Sequence, residues 1–149
     1  MVNQNNHQDP RVAEVIASFS QFSDWESRYK HLIGMGKELD SFPEEHRTEE
    51  NKVKGCQSQV WLYSELKEGK VIFFGDSDAS IVKGIVALLL KIYSNREPAE
   101  IMSLQQDFVD AIGLKQHLSM SRANGLSAMM KQIQFYALAY KTKIDLGMK

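Results

Sequence analysis

Residues 59–74 read Gln59-Val60-Trp61-Leu62-Tyr63-Ser64-Glu65-Leu66-Lys67-Glu68-Gly69-Lys70-Val71-Ile72-Phe73-Phe74, and this stretch decides the fold class. Positions 59–66 are rich in aromatic and aliphatic residues, 67–70 carry Gly69, and 71–74 are again β-prone, so the reading is strand, turn, strand. Positions 52–54 offer a third strand. In that case 55–58 become the loop between the first two strands, and Cys56 sits on it.

Outward from this hairpin the apolar spacing becomes helical. On the N-terminal side Asp9 can cap a helix with Pro10 at its first position, and Val12, Ile16 and Phe19 recur on one face. Ser23 followed by Glu26 reads as a capping box for a second helix. It carries Trp25, Tyr29, Leu32 and Leu39 and runs to about 37–39, before Pro43. On the C-terminal side Asp76, Ser77 and Asp78 offer caps to an apolar helix with Ile81, Ile85, Leu88, Leu89 and Ile92. Pro98 opens a short helix, and Gly113 terminates a segment over 107–112. Ser119 or Ser121 caps a last long helix with Leu126, Met129, Ile133 and Tyr140 turned inward. Strands grouped between runs of helices predict an α+β domain, a small three-stranded antiparallel sheet packed against helices. The expected organisation is a flexible N-terminal tail over 1–10 and a single domain over 11–149.

The chain of 149 residues is 43% hydrophobic, the size of one compact core. A formal net charge of −1, with cations and anions interspersed, lacks the basic stripe that nucleic acid requires. The longest apolar run, 85–90, is bracketed by Lys83 and Lys91, and residues 1–10 have no apolar leader core. The expectation is no nucleic acid, no membrane span and a cytoplasmic setting. A single cysteine cannot form an internal disulfide and fits a reducing compartment.

Several motifs fail on inspection. Asp76-Ser77-Asp78 begins like a calcium loop, but Ile81 stands where glycine is required. Gly34-Met35-Gly36-Lys37 lacks the upstream glycine of a phosphate loop and reads as close helix packing, and Ser80-Ile81-Val82-Lys83 lacks the companion motifs of serine acyl-enzymes. His7, His31, His46 and His117 never approach Cys56 at ligand spacing, so no metal site is expected. What survives is Val53-Lys54-Gly55-Cys56-Gln57-Ser58-Gln59-Val60-Trp61. Gly55, Gln57 and Ser58 make a polar turn that should keep the thiol near the surface, and Lys52 and Lys54 are close enough in sequence to favour the thiolate. Trp61 and Tyr63 read as strand core.

Gly55-Cys56-Gln57-Ser58-Gln59-Val60-Trp61, followed by Gly75-Asp76-Ser77-Asp78-Ala79 and Ile81-Val82-Lys83-Gly84, resembles the SufE family. Trp25-Glu26 with Arg28-Tyr29, Gln116-His117-Leu118 with Ser121-Arg122, and Gly125-Leu126 with Ala128-Met129 agree in order, so the likeness runs from Val12 to Ile133. The resemblance implies a fold like that of U-type iron–sulfur scaffolds. It also implies a sulfur acceptor that takes persulfide sulfur from a SufS-type cysteine desulfurase onto Cys56, stimulates that enzyme and passes sulfur to a Suf-type scaffold complex. On this reading the chain is an accessory to the desulfurase rather than a stand-alone enzyme. Cys56 is the reacting residue and rests sheltered in an apolar pocket. Arg122 stabilises the anionic persulfide, Asp78, Gln57 and Gln59 meet the partner, and a homodimer is left open. The chain itself binds no cofactor: the persulfide on Cys56 is covalent, and pyridoxal phosphate belongs to the desulfurase.

The CsdE branch of the family, the alternative reading, has Glu-Asn-Arg where this chain has Gln57-Ser58-Gln59. A cluster scaffold needs several thiolates, and a cysteine hydrolase needs a histidine oriented on the thiol.

Overall fold

In the computed structural model, which describes residues 9–147, the hairpin forms as read. Strand β1 (Val60–Lys67) pairs antiparallel with β2 (Lys70–Ser77), with Lys67 opposite Lys70. Glu68 and Gly69 between them both have positive φ, 53° and 81°. That is the two-residue turn whose twist matches paired strands. Alternation then sorts the side chains. Val60, Leu62 and Ser64 share one face with Val71, Phe73 and Gly75 and are buried under the helices. On the other face Trp61 lies beneath Arg47, whose guanidinium stands 4.8 Å from the ring centroid, and Tyr63 stacks on His46 at 3.6 Å.

Among the described residues the sheet has two strands, not the expected three. Residue Lys52 forms a single antiparallel bridge with Trp61, and the Val53 amide donates to the Val60 carbonyl at 2.8 Å. Pairing stops there for two reasons. Immediately before it the chain is wound into a 3-10 turn, Glu49–Asn51. Further along β1, the outer carbonyls of Leu62 and Ser64 accept hydrogen bonds from the Tyr136 and Tyr140 hydroxyls at 3.2 and 3.1 Å. A third strand would need that same edge.

Helix α1 (Pro10–Ser20) is capped by Asp9, whose carboxylate accepts from the Arg11 and Val12 amides and also pairs with the buried Arg96 at 2.8 Å. Asp9 and Pro10 are therefore built into the fold although they fall within the expected tail, and residues 1–8 lie outside the described residues. Helix α2 (Trp25–Lys37) is capped by Asp24 rather than Ser23. The Asp24 carboxylate accepts from both the amide and the hydroxyl of Ser27, a closer match than Ser23 and Glu26 provide.

Helix α3 (Ser80–Tyr93) is buried along most of its length and crosses α2 at close range. A Cβ on Gly36 would sit 2.9 Å from the Gly84 nitrogen, and one on Gly84 would run into the Leu32 carbonyl. None of the three residues Asp76, Ser77 and Asp78 is its N-cap. That position is Ala79, and the two acids are engaged elsewhere: Asp76 with Arg47 and Lys83, at 2.9 and 3.4 Å, and Asp78 with the cysteine loop.

Short helices α4 (Pro98–Ser103), α5 (Phe108–Ile112) and α6 (Leu114–His117) follow, with Gly113 at φ 88° ending α5 as expected. Helix α7 (Met120–Asp145) is capped by Ser119 and lays Leu126, Met129 and Ile133 into the core shared by helices and sheet. Tyr140 is only half-buried, its hydroxyl turned to Ser64. Among the described residues no helix is long and apolar enough to cross a membrane.

Candidate functional site

The loop carrying Cys56 leaves the Lys52–Trp61 bridge and returns to it within a few residues, so its ends are fixed on the sheet. Gly55 has φ 89°, a backbone conformation that side chains resist, and it directs the chain back over α7, where Ala128 lies 3.6 Å from where a Cβ would stand. The far end is clamped by Asp78. Its carboxylate accepts from the Gln59 amide at 3.1 Å, and its own amide donates to the Gln59 carbonyl at 3.3 Å.

Between these ends the Cys56 side chain leans on α7. A Cβ added to Gly125 would lie 3.4 Å from Sγ, and the thiol faces the Gly125 carbonyl at 3.8 Å. Any larger residue at 125 would fill the floor of the site. Beside Sγ is a cavity of about 290 Å³, walled by Gln57 and Ser58 from the loop, Val82 from α3, and Ser121, Arg122, Gly125 and Met129 from α7. The thiol is half-buried, and burial pushes it above the usual cysteine range.

Of the residues singled out from sequence, Cys56, Gln57 and Arg122 converge on this cavity. Asp78 and Gln59 stand at the loop's hinge, where they hold each other through the backbone and do not line the cavity. Lys52 does not give the expected help: it pairs with Glu49 at 2.6 Å and lies over the Trp61 ring, while burial of the thiol opposes its ionisation. Sequence reasoning placed Met129 in the core and Val82, Gly125 and Met129 in the family-like blocks, but gave none of the three a place at the site. The signal for two of them was present: Ser121, Gly125 and Met129 are four residues apart and so share one face of α7. Among the described residues no group of three His, Cys, Asp or Glu side chains is placed to hold a metal ion.

Comparison with known proteins gives this geometry a family. The model of the SufE family, described as the Fe-S metabolism associated domain, matches residues 13–137. An uncharacterized SufE-like protein of Synechocystis sp. is 42% identical over 132 residues, covering 89% of this chain and 83% of the relative. A second, of Rhizobium meliloti, is 43% identical over 126 residues, covering 81% and 90%. Among solved structures, the solution structure of a hypothetical protein from Thermus thermophilus matches with a TM-score of 0.75 over 89% of this chain and 97% of that one. At 21% identity it bears on the fold alone. The matched span holds both strands, the Cys56 loop and every wall of its cavity, and by that match and these relatives the chain belongs to the SufE family.

Proposed function

We propose that Cys56 receives a sulfur atom from the cysteine persulfide of a SufS-type desulfurase, holds it as its own persulfide and hands it on to iron–sulfur cluster assembly in the cytoplasm. The observation that carries this reading is the cavity beside Sγ, bounded by the cation Arg122. A persulfide needs room for a second sulfur, and its terminal sulfur is an anion that a guanidinium can meet by charge-assisted hydrogen bonding.

In the transfer the Cys56 thiolate attacks the outer sulfur of the donor persulfide. The donor's sulfur–sulfur bond breaks, the donor cysteine leaves as a thiolate, and a new sulfur–sulfur bond forms on Cys56. No electrons are gained or lost overall. The proton that Cys56 must lose is matched by the one that the departing thiolate can take. With one cysteine in the chain, no internal thiol can resolve the product into a disulfide.

A thiol whose ionisation is opposed by burial is a poor nucleophile at neutral pH. The resting site therefore protects the sulfur, and attack requires a state in which Cys56 leaves the floor made by Gly125. Contacts that favour that state when the desulfurase docks would couple docking to reactivity. The test is intact mass after incubation with a desulfurase and free cysteine. One or more added sulfur atoms, removed by reductant and absent from Cys56→Ser, are expected; loading of the Ser variant, or none of the wild type, overturns the proposal.

A further inference from the structure

Helix α7 borders a second cavity, on a side of the helix turned away from Cys56. Ala123, Ser127, Met130 and Gln134 recur along it at steps of four, three and four residues and so form one stripe. The first two are small and stand one turn apart, which leaves a hollow in the helix surface. Helix α5 does not fill it, because α5 packs on α1. Gln134 is tied to α4, its amide donating to the Ile101 carbonyl at 3.2 Å, and makes the end wall. The space enclosed by α5, α6 and α7 is about 510 Å³, larger than the cavity beside Sγ and within the roughly 300–1,000 Å³ of small-molecule sites.

Its walls carry two kinds of chemistry. Buried Val109, Leu126 and Met130 make an apolar floor. Lys115 from α6 and Lys131 from α7 add two exposed cations, and among the described residues neither makes an ion pair. No acidic side chain is among the walls: Asp107 and Asp110, on the same stretch of chain as Val109, do not line the cavity. Two like charges on one cavity without a counter-charge favour an anion, and the floor favours hydrocarbon. We propose that this cavity binds a small amphipathic carboxylate, a medium-chain acyl group with an ionised head. The chain lies on Val109, Leu126 and Met130, and the carboxylate is held by Lys115 and Lys131.

Neither half of the ligand suffices alone. A bare inorganic anion leaves the floor unused, and exposed lysines hold such an ion weakly. A neutral hydrocarbon leaves the two cations without a counter-charge. No residue walls both this cavity and the one beside Sγ, so the two sites can be tested apart although α7 borders both.

Amide NMR titrations of the full chain with octanoate, 1-octanol and acetate test this by separating tail from head. Octanoate should shift the amides of 109–115 and 123–134 saturably, with a dissociation constant on the order of 1 mM, the affinity suited to so few heavy atoms. 1-Octanol should shift the same amides several-fold more weakly, and acetate should not shift them. Lys115→Gln combined with Lys131→Gln should weaken octanoate about fivefold and leave 1-octanol unchanged, since each exposed charge contributes little. Ser127→Phe, at an exposed position, should fill the hollow and abolish both, with helical circular dichroism unchanged. Octanoate binding weaker than about 10 mM, shifts centred elsewhere, or 1-octanol binding as tightly as octanoate overturns the proposal. So does a double-glutamine variant that binds octanoate as the wild type does. A peptide ending in a leucine carboxylate that displaces octanoate at a hundredfold lower concentration overturns it too, and assigns the cavity to a protein C-terminus.

Discussion

Between Cys56 and Gly125 there is room for a thiol and little else on the helix side, and two consequences can be measured. Because burial moves the thiol's ionisation to higher pH in the folded protein, the pH midpoint for alkylation of Cys56 by iodoacetamide should lie above the ordinary value of about 8.5, and should fall back to it in concentrated urea. A folded-state midpoint at or below that of the urea-unfolded chain would show that a cation reaches the sulfur. Gly125→Ala should leave the fold intact or steady it by about 0.5–1 kcal/mol through helix propensity. Its methyl would stand 3.4 Å from Sγ, and persulfide loading should slow several-fold while the bare thiol is still accommodated. That Cys56 lies on a polar turn was readable from Gly55, Gln57 and Ser58. That Lys52 turns away from it was not, since its choice of Glu49 depends on a 3-10 turn with no periodic signature.

Elements meet at acids that sequence could locate but not assign. Asp78 and Asp76 read equally well as helix caps, and only the return of the cysteine loop and of Arg47 in three dimensions decides otherwise. Asp78→Ala removes the acceptor for the Gln59 amide and should free the loop. Alkylation of Cys56 and hydrogen exchange at Gln59 should both rise several-fold, with a stability loss of no more than about 1 kcal/mol for an exposed hydrogen bond. Unchanged exchange at Gln59 would mean that the backbone pairing alone holds the hinge.

Asp9 joins α1 to the start of α4 by capping the one and pairing with Arg96, which is 4% exposed. Asp9→Ala should cost about 2–3 kcal/mol, because it removes the α1 cap and leaves the buried Arg96 with the more exposed Glu100, at 3.3 Å, as its remaining carboxylate. The hydrogen bond from Arg96 is the chief reason that the Asp9 carboxyl titrates below the usual 3.8. Its contribution is therefore complete above pH 3.8 and is lost as pH falls through the lower folded value. Urea titrations at about pH 6 and about pH 3, above and below the unfolded value, should differ more for the wild type than for Asp9→Ala.

Across the whole molecule, the hairpin, the long helices and their buried faces were legible because their periods are regular and long. The strand count was not. Whether 52–54 pairs for one residue or several depends on what else claims the edge of β1, and the claimants, Tyr136 and Tyr140, come from more than seventy residues away. The α2–α3 crossing is similarly global. Gly84→Ala puts a methyl against the Leu32 carbonyl, and the helices must separate, at a cost of about 1–3 kcal/mol or more, visible as a lower unfolding midpoint in urea. The tyrosines on β1 have one more effect. A ladder of unclaimed carbonyls invites a strand from a neighbouring molecule, and fibrils grow by that recruitment. Here two phenols stop the ladder at the second rung, so removing them by Tyr→Phe at both positions should leave the fold standing yet shorten the lag before thioflavin-positive aggregates appear on warming.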